Sequence, residues 1–172
     1  SMISARAGSY ATRAASATLN RAAEGFGFGL NASHYESRGY RANNASRQSN
    51  AGLVVERDYG AGSLQLSLDA NWLTMRLPGF RQVEPAVGRD DLATDRRGTP
   101  TPADDSARRS AQFAADWRHR MAIGELAVDF THRTREQWIY SATRQFARGS
   151  DMTLDSLSPR LRMPNSIFGG KG

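Results

Sequence analysis

No cysteine occurs among the 172 residues, which removes a disulfide framework and any thiolate metal site from consideration. Long apolar runs are missing as well. Nowhere do about 18 consecutive apolar residues occur, so no transmembrane helix is encoded. Hydrophobic residues make up 39% of the chain and mean hydropathy is −0.59, little for a protein with a large dry core. Prolines number six, and most of them gather between residues 78 and 106. A porin-like β-barrel is expected to be this polar, because only alternate residues of its strands face lipid.

Negative charge is in the minority. A formal charge of +6 and a pI near 10.4 raise nucleic acid as a partner, but the arginines are spread over many segments and form no single patch. No nucleic-acid partner is therefore expected. Ser1-Met2 reads as an expression scar with no signal peptide after it, so export would require a leader outside this chain.

The chain is rich in alternation. In the stretch GELAVDFTHRTREQWIYSA, residues 124–142, the even positions Leu126, Val128, Phe130, His132, Thr134, Glu136, Trp138 and Tyr140 oppose Ala127, Asp129, Thr131, Arg133, Arg135 and Gln137. A period of two puts these sets on opposite faces of one strand. The run outlasts the roughly 4–8 residues of a soluble strand and suits a membrane strand of about 9–11 residues, with aromatics at the interface.

The same period recurs. It marks residues 3–10, 11–19, 26–33, 51–59, 63–72, 111–121 and 156–163, which with 124–142 makes eight candidate strands and no convincing helix. Pro159 is awkward inside a paired strand. Connections are short at 21–25, 60–63 and 122–124. They are long at 38–49, 78–106 and 143–153, the asymmetry of an outer-membrane barrel. Trp72, Trp138 and Tyr140 fall at the long-loop ends of their strands, and Phe26, Tyr59 and Trp117 near the short turns, like two interfacial girdles. The fold expected is all-β, an antiparallel meander of about eight strands forming a segment of a transmembrane barrel. A soluble meander with aromatics packed under its loops is the alternative.

At this point the text resembles a known family. The segments AGSYATRAASATLN, GFGLNASHYESRGYR and SNAGLVVERDYGAGSLQLSLDANW, then Leu77-Pro78-Gly79 and the ending LDSLSPRLRMP, are similar in order and spacing to the first third of the barrel of TonB-dependent outer-membrane receptors. The resemblance implies a barrel of about 22 strands with an N-terminal plug. It implies import of a ferric siderophore or similar chelated nutrient across the outer membrane of a Gram-negative bacterium, with energy from the TonB complex. No TonB box, plug or aromatic-terminated closing strand is found, and the chain ends at Phe168-Gly-Gly-Lys-Gly172. The partners implied are thus outer-membrane lipid, the plug and remaining strands, TonB through an absent N-terminus, and a ferric chelate. With two strand edges and an apolar face uncovered, self-association or detergent dependence is expected unless the eight strands close on themselves.

Chemistry within the strands is sparse. His34, His119 and His132 all carry the parity of the apolar face, so no histidine-based hydrolase or metal cluster is expected, and neither is a cofactor or any enzymatic activity. Gly25, Gly27 and Gly29 alternate with phenylalanines and lack the dinucleotide-binding spacing. They leave space on the inner face where a plug would pack. Asp69, Asp116 and Asp129 share that face with Arg118, Arg120, Arg133, Arg135, Arg160 and Arg162, an arrangement of mutual neutralisation in a wet lumen. Ligand contacts are expected in the loops, where arginine and aromatic side chains suit an anionic chelate. The candidates are Tyr40 and Arg41 in the first long loop, Arg81, Arg89, Arg96 and Arg97 in the second, and Arg144 and Arg148 in the third. Solvated loop charges paired with Asp90, Asp91, Asp95, Asp104 or Asp105 are the bland alternative. A self-contained small β-barrel or sandwich that binds a ligand or partner is the other function considered.

Overall fold

The computed structural model describes residues 1–163; the 168–172 ending lies outside the described residues. The strands are β1 (Met2–Gly8), β2 (Thr12–Ala23), β3 (Phe26–Ser37), β4 (Ser46–Asp58), β5 (Gly62–Arg76), β6 (Val83–Glu84), β7 (Arg89–Asp90), β8 (Asp105–Met121), β9 (Gly124–Ser141) and β10 (Phe146–Arg162). Eight of them form one antiparallel sheet in the order β1-β2-β3-β4-β5-β8-β9-β10, while β6 and β7 pair apart in the second long loop. The sheet is an all-β meander and it is open. Among the described residues, strands β1 and β10 each have a neighbour on one side only.

Period-two alternation selects strands throughout, and tight turns link them at one end. Glu24 and Gly25 both take positive φ, 44° and 72°, the handedness that lets a two-residue hairpin follow the strand twist. At the other end the connections are 9–11, 38–45, 77–104 and 142–145.

The strands run further than their hydrophobic alternation. Strand β4 starts at Ser46, inside the loop expected over 38–49, and β8 at Asp105, inside 78–106. The third long loop, expected over 143–153, shrinks to 142–145 because β10 begins at Phe146. Backbone pairing explains this: Phe146 to Asp155 lie opposite Ser141 to His132 without interruption. Their side chains carry no matching signal, since Asp151, Thr153 and Asp155 take the apolar-face parity and Met152 and Leu154 the other. Pro159 sits in the edge strand β10, where one side needs no ladder hydrogen bond. The second loop holds a 3-10 turn, Pro85–Val87, and one turn of helix, α1 (Asp91–Thr94), although no helix was expected. Asp90 caps α1 by accepting from the Leu92 and Ala93 amides.

Among the described residues no apolar side chain is buried. The register explains where the apolar groups go. One face carries the row Leu19, Leu30, Leu53, Leu68 and Phe113, beside the row Ala17, Ala32, Ala51, Ala70 and Ala111. The opposite face carries Ser16, Ser33, Asn50, Asn71 and Ser110 in one row. There Asn71 donates to Asn50 at 2.6 Å and Asn50 to Ser33 at 3.0 Å. Ser16, Ser33, Asn50, Asn71 and Ser110 are half-buried, whereas Ala15, Ala17, Ala32, Ala51 and Ala111 on the apolar face are exposed.

Candidate functional site

Two surfaces could act on a partner, the apolar face of the sheet and the long-loop end. The apolar band follows register rows over β2, β3, β4, β5 and β8 and shifts off them toward the outer strands of the sheet. On β1 it centres on Ala5, between Ile3 and Ala7, and Ala5 shares a row with Ala15, His34, Ser49, Trp72, Arg109, Glu136 and Asp151. On β10 the band is Leu157, Pro159 and Leu161, centred eight residues past Asp151. That offset is about 27 Å at ~3.4 Å per residue, accumulated over seven strand spacings of ~4.8 Å, about 34 Å. Between β1 and β10 the band thus shifts by the equivalent of a slope of about 40°, with a level stretch over β2, β3, β4, β5 and β8.

Charge bounds the band unevenly, with Arg76 on β5 two residues above the row of Arg47 and Arg109 on β8 two below it. On β2, β3 and β4 the band is bounded by Arg13, Glu36 and Arg47, which share a row with Gly149; on β10 the first charge is Asp155, six residues lower. Trp72, Trp138 and Tyr140 stand on the long-loop side of the band, with Trp117 and Tyr59 near the short turns. Tyr59 donates to the Arg118 carbonyl at 3.1 Å, and the His119 ring stacks on both Tyr59 and Trp117.

The histidines do not converge. His34 bonds Ser49 at 2.8 Å and His132 bonds Asp155 at 2.6 Å, both across strand pairs of the apolar face. On the polar face Asp116 lies directly opposite Asp129, and Arg160 bonds the Asp129 carboxylate. Gly27 and Gly29 border a crevice of about 500 Å³ on that face, with the Glu56 and Asn20 side chains leaning over them. Among the described residues no group of three or more metal-ligating side chains gathers.

At the long-loop end the first and second loops form one unit. Arg41 is its clamp: its guanidinium donates to the Gly79 and Pro78 carbonyls at 2.9 Å each, and twice to Gly98 at 3.2 Å. Asn43, at φ 52°, donates to the Leu77, Thr101 and Asp104 carbonyls. Among the described residues Asp104 and Ser141 are the buried polar side chains, at 6% and 5% exposure, and Ser141 donates to Asp104 at 2.7 Å. That bond, with help from the Thr143 and Ala142 amides and the Thr143 hydroxyl, holds the Asp104 carboxyl below its ordinary pKa against the opposing effect of burial.

The loop candidates divide accordingly. Tyr40 and Arg97 meet, the guanidinium carbon 5.2 Å from the ring centroid, and Tyr10 packs edge-on against Tyr40 at 5.6 Å. Arg41 is spent on carbonyls. Arg81 donates to the Asp91 and Asp95 carbonyls, and Arg89 pairs with Asp91 at 3.2 Å. Arg96 lies beside Arg97 in the same loop, Arg144 in the turn 142–145, and Arg148 within β10 opposite Ile139. The structure thus joins Tyr40, Arg41 and Arg97 across two loops and places Arg144 and Arg148 on another strand pair. Asp104, expected as a partner for a loop arginine, is bonded instead to Ser141 and Thr143. Tyr10, Asn43 and Ser141 are not singled out by the sequence, although an Asn-Asn pair inside a loop is a usable signal for positive φ. Comparison with protein-family models, with curated proteins and with solved structures found no match to this chain.

Proposed function

We propose that this chain is a membrane-spanning segment of an outer-membrane β-barrel, of the TonB-dependent receptor type that its sequence resembles. On this reading the apolar face meets outer-membrane lipid, and the polar face turns to a wet interior where a plug would pack. The substrate is an anionic chelate such as a ferric siderophore, arriving at the long-loop end. TonB engages parts of the receptor outside this chain.

The observation that carries the reading is the oblique apolar band. A soluble sheet packed on a second layer needs an apolar patch of any outline. A bilayer cuts tilted strands at one depth, so its apolar residues must step from strand to strand at the tilt, roughly 35–45° in such barrels. The band of this sheet shifts by the equivalent of about 40° from β1 to β10, though it runs level over β2, β3, β4, β5 and β8. The absence of any buried apolar side chain among the described residues further supports a face that lipid covers.

Sedimentation and far-UV circular dichroism of the purified chain, with and without detergent micelles, test the proposal. A monodisperse β-rich species in micelles alone is the expected result. A compact cooperative monomer in plain buffer would instead mean that the apolar face is covered from within the protein, and the chain would be a self-contained ligand- or partner-binding β-domain.

A further inference from the structure

Charge is distributed unequally over the polar face of the sheet. Toward the short turns it is balanced: Arg160 bonds the Asp129 carboxylate, and Glu125 lies between Arg120 on β8 and Arg162 on β10. Toward the long loops three arginines gather on two adjacent strands. Arg133 and Arg135 stand two residues apart on β9, about 7 Å, and Arg108 on β8 lies diagonally across from Arg135, about 7–8 Å away. Among the described residues none of the three forms an ion pair. Arg135 gives one donor to Gln137 at 2.7 Å. Among the described residues the register rows of these arginines hold one carboxylate on this face, Asp69 on β5, and Gln112 separates it from Arg133. Guanidinium groups so close repel one another, and an incoming anion would relieve all three.

Beside Arg133 is a hollow of about 210 Å³ whose walls include Asn31, Asn50, Asp69, Asn71 and Gln112. Asn71 gives its amide nitrogen to Asn50 at 2.6 Å, while its Oδ1 is buried and accepts from no group among the described residues. An orphaned acceptor costs stability until a donor reaches it. The hollow therefore suits a ligand with anionic oxygens on the Arg133 side and a hydrogen-bond donor at Asn71. Among the described residues Tyr35 is the aromatic side chain that the strands place on this face, so a ligand built of aromatic rings would find little to stack on.

We propose that this quarter of the polar face binds a hydroxylated polycarboxylate, with two carboxylates held by Arg133 and Arg135, Arg108 adding attraction, and a hydroxyl donating to Asn71 Oδ1. The site rests on the reading given above, in which the polar face is wet and an anionic chelate enters from the long loops, and it names the chemistry of that chelate. A simple phosphate would engage the arginines and leave Asn71 unsatisfied. A neutral sugar would satisfy Asn71 and leave the arginines.

Isothermal titration of citrate into the chain in uncharged micelles tests the site, with tricarballylate, which is citrate without its hydroxyl, and acetate as comparison ligands. Citrate should bind, tricarballylate several-fold more weakly, and acetate not measurably. Arg133→Gln/Arg135→Gln should weaken citrate by about tenfold or more, as expected for lost charge-assisted hydrogen bonds. Arg6→Gln/Arg21→Gln, equal in charge and placed on β1 and β2, should leave it unchanged. Asn71→Ala should bring citrate down to the level of tricarballylate. Thermal unfolding without ligand supplies a second readout: Arg133→Gln/Arg135→Gln should be at least as stable as the parent chain, because it removes repulsion. A lower midpoint would mark these arginines as structural and overturn the site, as would citrate affinity that is equal in all variants or falls equally in Arg6→Gln/Arg21→Gln. A chain that enters micelles but ignores citrate overturns this site alone. One that is monodisperse without micelles overturns the membrane reading, and the same variants titrated in plain buffer then decide the site by itself.

Discussion

The sheet and the long-loop end are held together by opposite means. Across the sheet, cohesion comes from backbone ladders and from polar rows such as Ser33-Asn50-Asn71, and no apolar side chain among the described residues is buried. At the loop end, side chains reach main-chain carbonyls directly, through Arg41 and Asn43, and the buried polar groups Asp104 and Ser141 bond one another. One region leaves its apolar side chains uncovered among the described residues. The other is satisfied internally, so its stability should not depend on what covers the sheet.

The largest effect expected from breaking this contrast comes from a charge in the middle of the band. Leu53 lies on the apolar face of β4, while Ser67 on β5 belongs to the opposite face, paired with Val54. Leu53→Arg should destabilise the chain in micelles by about 2–4 kcal/mol, the cost of an arginine near a bilayer midplane, with Ser67→Arg close to neutral. Urea denaturation of the two variants in the same micelles measures the difference. Equal midpoints would mean that the two faces meet the same solvent, and the oblique band would lose its meaning.

The next effect is local. Arg41→Ala removes four hydrogen bonds to the Gly79, Pro78 and Gly98 carbonyls, and should loosen the second loop by roughly 2–3 kcal/mol, since charged donors are worth more than neutral ones. Amide exchange over residues 77–104 should accelerate while the sheet's unfolding midpoint stays put. A midpoint that fell with the loop would show the two regions to be one cooperative unit.

How much of this was legible in the sequence follows from the same division. Where one face is apolar, period two reads directly: Leu64 to Trp72 and Leu126 to Tyr140 were assigned to the strands and faces that they occupy. Where both faces are polar the period has nothing to print, so β10 above Asp155 looked like a loop although it pairs continuously with β9. The candidate residues of the loop end were chosen by type, as arginine and tyrosine, and type does not reveal commitment. Arg41 resembles a ligand contact in sequence, but its donors go to carbonyls 37 to 57 residues away. The slope of the band was invisible for another reason, because parity fixes the face of each residue and only the register relates one strand to the next.

The smallest expected effect tests whether the loop end is anchored by charge. In the folded chain the Asp104 carboxyl is held below its ordinary pKa, chiefly by the Ser141 hydroxyl. A depressed native pKa means that the unfolded state binds the proton more readily. The anchoring is then complete above the ordinary aspartate value of about 3.9 and is lost as pH falls through the lower native value. Protection of the Thr143 amide, which donates to Asp104 at 3.3 Å, should thus be flat at neutral pH and decline only in strong acid. Asp104→Asn should remove that decline, because an amide does not titrate there, and should lower protection at neutral pH by leaving a weaker acceptor for Ser141 and Thr143. A Thr143 amide that loses protection near pH 6 would point to a histidine instead. Neither His34 nor His132, both bonded within the sheet, is among the groups bonded to Asp104, so that outcome would couple the two regions that Arg41→Ala is expected to separate.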